Sequence, residues 1–168
     1  MKYSTKYDEL IKGAAIDFLF FIPGVSWLQW KAQLIAESNL DGNAISPVGA
    51  IGVAQIMPAT WEDIRSYFNW ERSAINVPYF NIYGGAWYMG HLWDEWSAKR
   101  KEKDRLDLAR ASYNAGLGNV LEAQEKSGGK NEAKKILDSL YLVTGNHAKE
   151  TLNYVRKCRK IYGELINE

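Results

Sequence analysis

Residues 36–61 read AESNLDGNAISPVGAIGVAQIMPATW. Glu37 stands at the end of an apolar, helix-patterned run, and the glycine-rich loop that follows carries a single further charge, Asp41, before Glu62. A carboxylic acid so placed can be held in a partly dry pocket. Burial there penalises the anion, raises the pKa and lets the acid donate a proton near neutral pH. Read alone, a helix-end glutamate is normally a solvated surface residue, so the surrounding sequence decides.

Outward from this stretch the pattern is helical in both directions. Upstream, Leu10, Ile11, Ala14 and Phe18 recur at helical spacing and predict a helix over residues 5–20, ended by Pro23-Gly24. Ser26 followed by Gln29 predicts a capping box that opens the next helix. That helix has Trp27, Trp30, Leu34 and Ile35 on its apolar face and Glu37 in its last turn. Downstream, residues 38–57 are too irregular for a long regular element. Pro58 suits a first helical turn, giving a helix over 58–67, with Glu62 and Asp63 read as first-turn acids. Ile82, Ala86, Met89, Trp93 and Trp96 form one apolar stripe of a helix over 81–99. Asp104 is read as the cap of a helix that reaches Asn114 and is broken by Gly116 and Gly118. Gly128-Gly129 precedes a helix over 131–143, and a turn at 144–146 leads to a last helix over 148–165. Strand signals are weak. The expected fold class is therefore mostly α, a single domain over residues 1–168 with minor or no β-sheet.

Composition narrows the function. The chain is 168 residues with 46% hydrophobic and 24% charged residues, ordinary for a globular domain. A net charge of +1 does not point to nucleic acid. The charge is uneven: −4 over residues 1–96 and +7 over 97–160. The basic runs KRKEKDR at 99–105 and RKCRK at 156–160 read first as solvated helix faces, with weak attraction to an anionic polymer as the other reading. Seven Trp and ten Tyr exceed what such a chain needs. About two thirds are expected in the core and the remainder along a sugar-binding groove. Cys158, the one cysteine, reads as structural or incidental. His91 and His147 lack metal-ligand spacing, so no metal and no cofactor are expected. The amino end shows no secretory signal. Residues 14–28 are too short to span a bilayer and are interrupted by Asp17 and Pro23-Gly24, so no stable membrane insertion is expected, and the run reads as two buried helix ends joined by a turn.

Four motifs in order carry a family resemblance. Glu37-Ser38, Ser46-Pro47, Gly49-Ala50, Gly52, Gln55 and Met57-Pro58 form the first. Asn81-Ile82 with Gly85, Tyr88 and Leu92 form the second. Ala111-Ser112-Tyr113-Asn114-Ala115-Gly116 is the third, and Glu150-Thr151 with Tyr154-Val155 the fourth. Together they resemble the family-1 lytic transglycosylases, the soluble-lytic-transglycosylase-like enzymes that cleave peptidoglycan, over residues 7–154. The resemblance implies a lysozyme-like architecture with an elongated substrate groove. It implies Glu37 as general acid and then base. Ser46 and Gln55 would bind the N-acetyl sugar as polar groups beside Glu37, Met57 would be a further substrate-binding residue, Tyr113 and Asn114 would face the glutamate, Glu150 would be a second acidic groove residue, and Tyr154 would support that wall. Ala54 departs from the family, which commonly has methionine there, and removes bulk from the implied pocket wall.

The implied reaction cuts the β-1,4 bond between N-acetylmuramic acid and N-acetylglucosamine without water. It needs one acid, because the substrate's N-acetyl carbonyl stabilises the cationic centre, a recognised exception to the two-carboxylate rule. Asp41 in its DGN context reads better as a turn former than as a second carboxylate. Two rivals remain open. One is a goose-type muramidase that uses Asp41 or another carboxylate to activate water. The other is a wall-binding or virion structural protein with little activity. The expected partner is the peptidoglycan glycan strand, and the expected state a monomer. The expected setting is a bacteriophage endolysin, made in the host cytoplasm without a signal peptide and acting on the wall after release, or a virion-associated enzyme.

Overall fold

The structure, a computed structural model, describes residues 2–168. Among the described residues β pairing is limited to two isolated antiparallel bridges, Ile45 with Ile51 and Ile51 with Ile56. Everything else that is regular is helical, as the sequence predicts. The chain forms two compact units. The first runs up to Tyr88 and takes in Cys158–Glu168, and the second is Met89–Lys157. No helix among the described residues is long and apolar enough to cross a membrane.

In the first unit, α1 (Asp8–Leu19) packs on α2 (Trp27–Ser38). α1 begins at Asp8 rather than near residue 5, because the Asp8 N–H closes a turn on the Thr5 carbonyl at 3.1 Å. Asp8 and Glu9 then occupy the first turn, where the helix dipole favours carboxylates. Ile11, Ala14, Ala15 and Leu19 form its buried face. Lys31 of α2 is itself buried, with its ammonium 2.6 Å from the Asp8 carboxylate. Desolvation offsets most of the attraction in such a pair, but removing either partner would strand a buried charge.

Two expectations fail here. Ser26 does stand at the N-cap of α2 with extended backbone, but its hydroxyl is buried without a hydrogen-bond partner and caps nothing. The apolar run at 14–28 is not two buried helix ends, since Ile16, Phe20 and Phe21 are exposed. Nor are two thirds of the Trp and Tyr in the core. Among the described residues six of the seventeen are buried, eight are half-buried and three exposed. In this unit the rings share cover by touching one another: Phe68 stacks on Trp70 at 4.3 Å and Tyr79 on Tyr83 at 4.4 Å.

α3 is Pro58–Phe68, with Pro58 at its start, followed by a 3₁₀ turn at Arg72–Asn76. Glu62 and Asp63 lie beyond the first turn of α3, so the dipole does not account for them. Glu62 instead pairs with Arg65 and, at 3.0 Å, with Arg72. α4 is Pro78–Glu95 rather than 81–99. Proline at the helix start loses no hydrogen bond, and at the far end the Trp96 N–H turns back to the Trp93 carbonyl. The predicted stripe holds: Ile82, Ala86, Met89, Trp93 and Trp96 are all buried.

In the second unit, α5 (Glu102–Ala115) packs against α6 (Leu117–Lys126) and α7 (Ala133–Asp138). Asp104 is a first-turn residue of α5, one turn past the cap at Lys101. Gly116 ends α5 at φ +88, but Gly118 breaks nothing and lies within α6, a helix the sequence pattern does not announce. The predicted helix over 131–143 is two pieces, α7 and α8 (Tyr141–Thr144), because the chain turns at Ser139 and Leu140 to bury Leu140. α9 is His147–Leu165. The run at 99–105 is not simply a solvated face: Arg105 lies 4.2 Å over the Trp93 ring and Arg100 5.0 Å over Trp96. The run at 156–160 is solvated, with Cys158 fully buried among exposed cations.

Candidate active site

Glu37 occupies the last turn of α2 and is half-buried. α2 stops immediately afterwards because Asn39 takes the left-handed conformation, φ 56, and returns its N–H to the Ile35 carbonyl at 3.0 Å. Asparagine tolerates that conformation better than other residues with a side chain. The glutamate is thereby fixed at a rigid helix end, next to the loop that precedes α3.

That loop is bonded throughout. The Ser38 hydroxyl donates to the Val53 carbonyl at 2.8 Å and ties the loop to the end of α2. Ile51 and Ile56 exchange both backbone bonds at 3.0 Å. Ser46 accepts the Ala50 N–H on its hydroxyl oxygen at 2.9 Å, which leaves the hydroxyl hydrogen for donation. Gln55 sits at φ 47, and its amide nitrogen donates to the Ala44 and Gly52 carbonyls at 3.2 and 2.9 Å. Its first task is to brace the loop, and its carbonyl oxygen is the end left for a ligand. Met57 is exposed at the N-cap of α3. Ala54 is fully buried within the loop.

Asn81 holds the centre. Its side chain is buried in the first turn of α4, accepts the Ala54 N–H at 2.7 Å and donates to the Ile51 and Ile75 carbonyls, each at 3.0 Å. Gly52 lies directly against it: a Cβ there would sit 2.5 Å from the Asn81 amide nitrogen, and its φ is +78. The sequence marked Asn81 and Gly52 only as parts of motifs. The bracing role that links them needs coordinates.

Asp41 is exposed, and its carboxylate accepts the Asn43 N–H at 2.9 Å, the side-chain turn expected of it.

The second unit carries the other four predicted residues. Tyr113 and Asn114 lie in the last turn of α5, with Ser112 fixed beneath them by the Trp96 indole N–H at 2.9 Å. Asn114 and Glu150 line one open pocket of about 440 Å³, together with Asn119, His147 and Thr151. The buried Thr151 hydroxyl donates to the Asn114 side-chain oxygen at 2.8 Å, which orients the amide NH₂ as the group offered to a ligand. Tyr154 is buried one turn beyond Glu150. His147 and Asn119 are the residues the sequence reading missed. In the sequence His147 stands out only as a possible metal ligand, and Asn119 lies in α6, which the pattern does not announce, where its amide donates to the Ala115 carbonyl at 2.7 Å. Thr151→Val is expected to cost about 1 kcal/mol of stability, because the hydrogen bond to Asn114 is lost. Urea denaturation checks this, and unaltered stability would remove Thr151 from its orienting role.

Residues 24–136 match the family model of the transglycosylase SLT domain. The chain belongs to that family. It is 28% identical to a membrane-bound lytic murein transglycosylase F of Alteromonas mediterranea, over 96% of this chain and 35% of the relative. It is 29% identical to the protein of the same name from Shewanella pealeana, over 87% of this chain and 32% of that one. The chain thus spans about a third of the curated relatives it matches. Among solved structures it resembles the 70 kDa soluble lytic transglycosylase of Escherichia coli, with TM-score 0.75 and 21% identity over 99% of this chain and 25% of the other. It also resembles an inactive mutant of the lytic transglycosylase Slt of Pseudomonas aeruginosa, with TM-score 0.73 and 22% identity over 98% and 25% of the two chains. These likenesses establish the mostly helical, lysozyme-like fold of this SLT domain.

Proposed function

We propose that this SLT domain is a peptidoglycan lytic transglycosylase, cutting the β-1,4 bond between N-acetylmuramic acid and N-acetylglucosamine without water. The observation that carries the reading is Glu37, a half-buried acid at a rigid helix end beside a fully braced loop, in a chain of this family. In the proposed sequence protonated Glu37 gives its proton to the glycosidic oxygen, and the bond to C1 of the muramic acid breaks. The N-acetyl carbonyl of that sugar stabilises C1. Glu37, now a carboxylate, takes the proton from the C6 hydroxyl as O6 bonds to C1, which closes the 1,6-anhydro ring and restores the acid. Ser46, Gln55, Met57, Tyr113, Asn114, Glu150 and Tyr154 are assigned to binding and supporting the sugars. The exposed, turn-forming Asp41 favours this one-acid route over a muramidase that activates water. The names of the relatives, lytic murein transglycosylases, support the same substrate.

Use in phage-mediated lysis of the host wall, by a monomer acting there after release, belongs to the same proposal. What supports it is the reaction itself, which opens the sacculus. Digestion of purified sacculi followed by mass spectrometry tests the chemistry. Muropeptides ending in anhydro-muramic acid, one water lighter than hydrolysis products, are expected. Reducing ends would replace the reading by a muramidase.

A further inference from the structure

We propose that His147 is a third sugar-binding side chain in the pocket lined by Asn114 and Glu150, and that its protonation weakens the hold on the sugar. This deepens the reading above and rests on its substrate. The pocket measures about 440 Å³, within the range that holds small ligands. Much of its polar lining is spent on the protein itself. The Thr144 hydroxyl donates to the Leu140 carbonyl at 3.2 Å, the Asn119 amide to the Ala115 carbonyl at 2.7 Å, and the Thr151 hydroxyl to the Asn114 oxygen at 2.8 Å. What remains to meet a ligand is the Asn114 NH₂ and two exposed titratable side chains, His147 and Glu150.

His147 is the first residue of α9. The next two N–H groups, of Ala148 and Lys149, return to the Gly145 and Asn146 carbonyls at 3.2 Å each. Those donors are spent, and Glu150 adds a negative charge, so an anion is not the ligand this end of α9 favours. A neutral amino sugar fits it better. Its N-acetyl carbonyl can take the Asn114 NH₂, its methyl group can lie on Val143 and Ala115, and its hydroxyls both donate and accept. Neutral imidazole offers one donor and one acceptor, which matches a hydroxyl, whereas imidazolium offers two donors and no acceptor. Glu150 stands three residues along the same helix face, within reach of an ion pair with a charged His147. Among the described residues α5, α6 and α8 bring no titratable group to the pocket, and Lys149, between the two, does not line it. Protonation of His147 therefore draws Glu150 into a pair and takes both from the sugar. Histidine is the side chain whose ordinary charge change falls between about pH 5 and 8.

The test measures binding by calorimetry in Glu37→Gln, which holds the ligand uncleaved. The probe is the N-acetylglucosamine tetrasaccharide, which carries no charge of its own. Affinity is expected to fall about fivefold from about pH 7.5 to about pH 5.5, the yield of one neutral hydrogen bond. Adding His147→Gln, whose amide keeps a donor and an acceptor and does not titrate, should hold the affinity within about twofold of the higher value at both pH values. Adding His147→Ala should give the lower affinity at both. The His147 side chain is exposed, so neither change disturbs the core. An unchanged affinity across this range with His147 intact, the same fall in His147→Gln, or no binding at all would overturn the proposal. The products of the wild type on sacculi are read separately. Reducing ends there would overturn the water-free chemistry and leave the His147 subsite standing, since both reactions hold the same glycan.

Discussion

Glu37→Gln is expected to yield a folded protein whose glycan cleavage is slower by ~10²–10⁴, the usual share of general acid catalysis. The replacement keeps the volume and hydrogen-bonding length of the side chain and removes the transferable proton. Two steps of the proposed sequence then fail together, because the same group must protonate the leaving oxygen and later accept the proton of the C6 hydroxyl. The loss should fall on kcat, with KM little changed, since the amide still fills the space of the acid. Asp41→Asn separates the one-acid from the two-acid route. Asp41 is exposed and engaged with the Asn43 N–H, and asparagine preserves that acceptor, so turnover should stay within about twofold of wild type. Near-wild-type turnover in Glu37→Gln would take Glu37 out of its role. A large loss in Asp41→Asn would bring back the muramidase.

The sequence exposed those parts of this fold that obey a period or a strong local rule. The α4 stripe is buried at each predicted position because side chains on one helix face must leave water together. Gly116 ends α5 by ordinary glycine geometry. The failures came where tertiary packing outweighs local preference. Gly118 reads as a breaker, yet α6 continues through it, supported by Val120 and Ala123 packed in the core. Ser26 has the right residue type and backbone for a cap, but its buried hydroxyl bonds nothing. Arg100 and Arg105 look like solvated charges until the flat faces of Trp96 and Trp93 are placed beneath them. In the candidate site the motif order does not show what else a residue bonds. Gln55, read as a sugar-binding residue, also gives its amide nitrogen to the loop. No periodicity encodes that, because the two carbonyls it reaches are brought near only by the loop's own turns.

Asn81→Ala is expected to be among the most destabilising single substitutions in the first unit. The side chain satisfies one backbone N–H and two backbone carbonyls, and a methyl group satisfies none. A buried polar group left without a partner costs about 1–3 kcal/mol. With some relief from relaxation or entering water, the total should reach about 3–5 kcal/mol, at the upper end for point mutations. That corresponds to a fall in Tm of roughly 10 °C for a chain of this size. The loop it releases is the one tied to the end of α2 beside Glu37, so catalysis should drop further than the folded fraction explains. Gly52→Ala approaches the same centre from the other side, since the new Cβ would meet the Asn81 amide at 2.5 Å and the backbone stands at φ +78. The clash disappears when Asn81 is already alanine, while the φ strain persists. The double mutant should therefore lose less stability than the two single losses added together, by about 1 kcal/mol or more. Simple additivity in denaturant unfolding would mean that Asn81 and Gly52 do not act on the loop as one device. Asn81→Ala within about 1 kcal/mol of wild type would show that the loop is held by its own turns and by Ser38 alone.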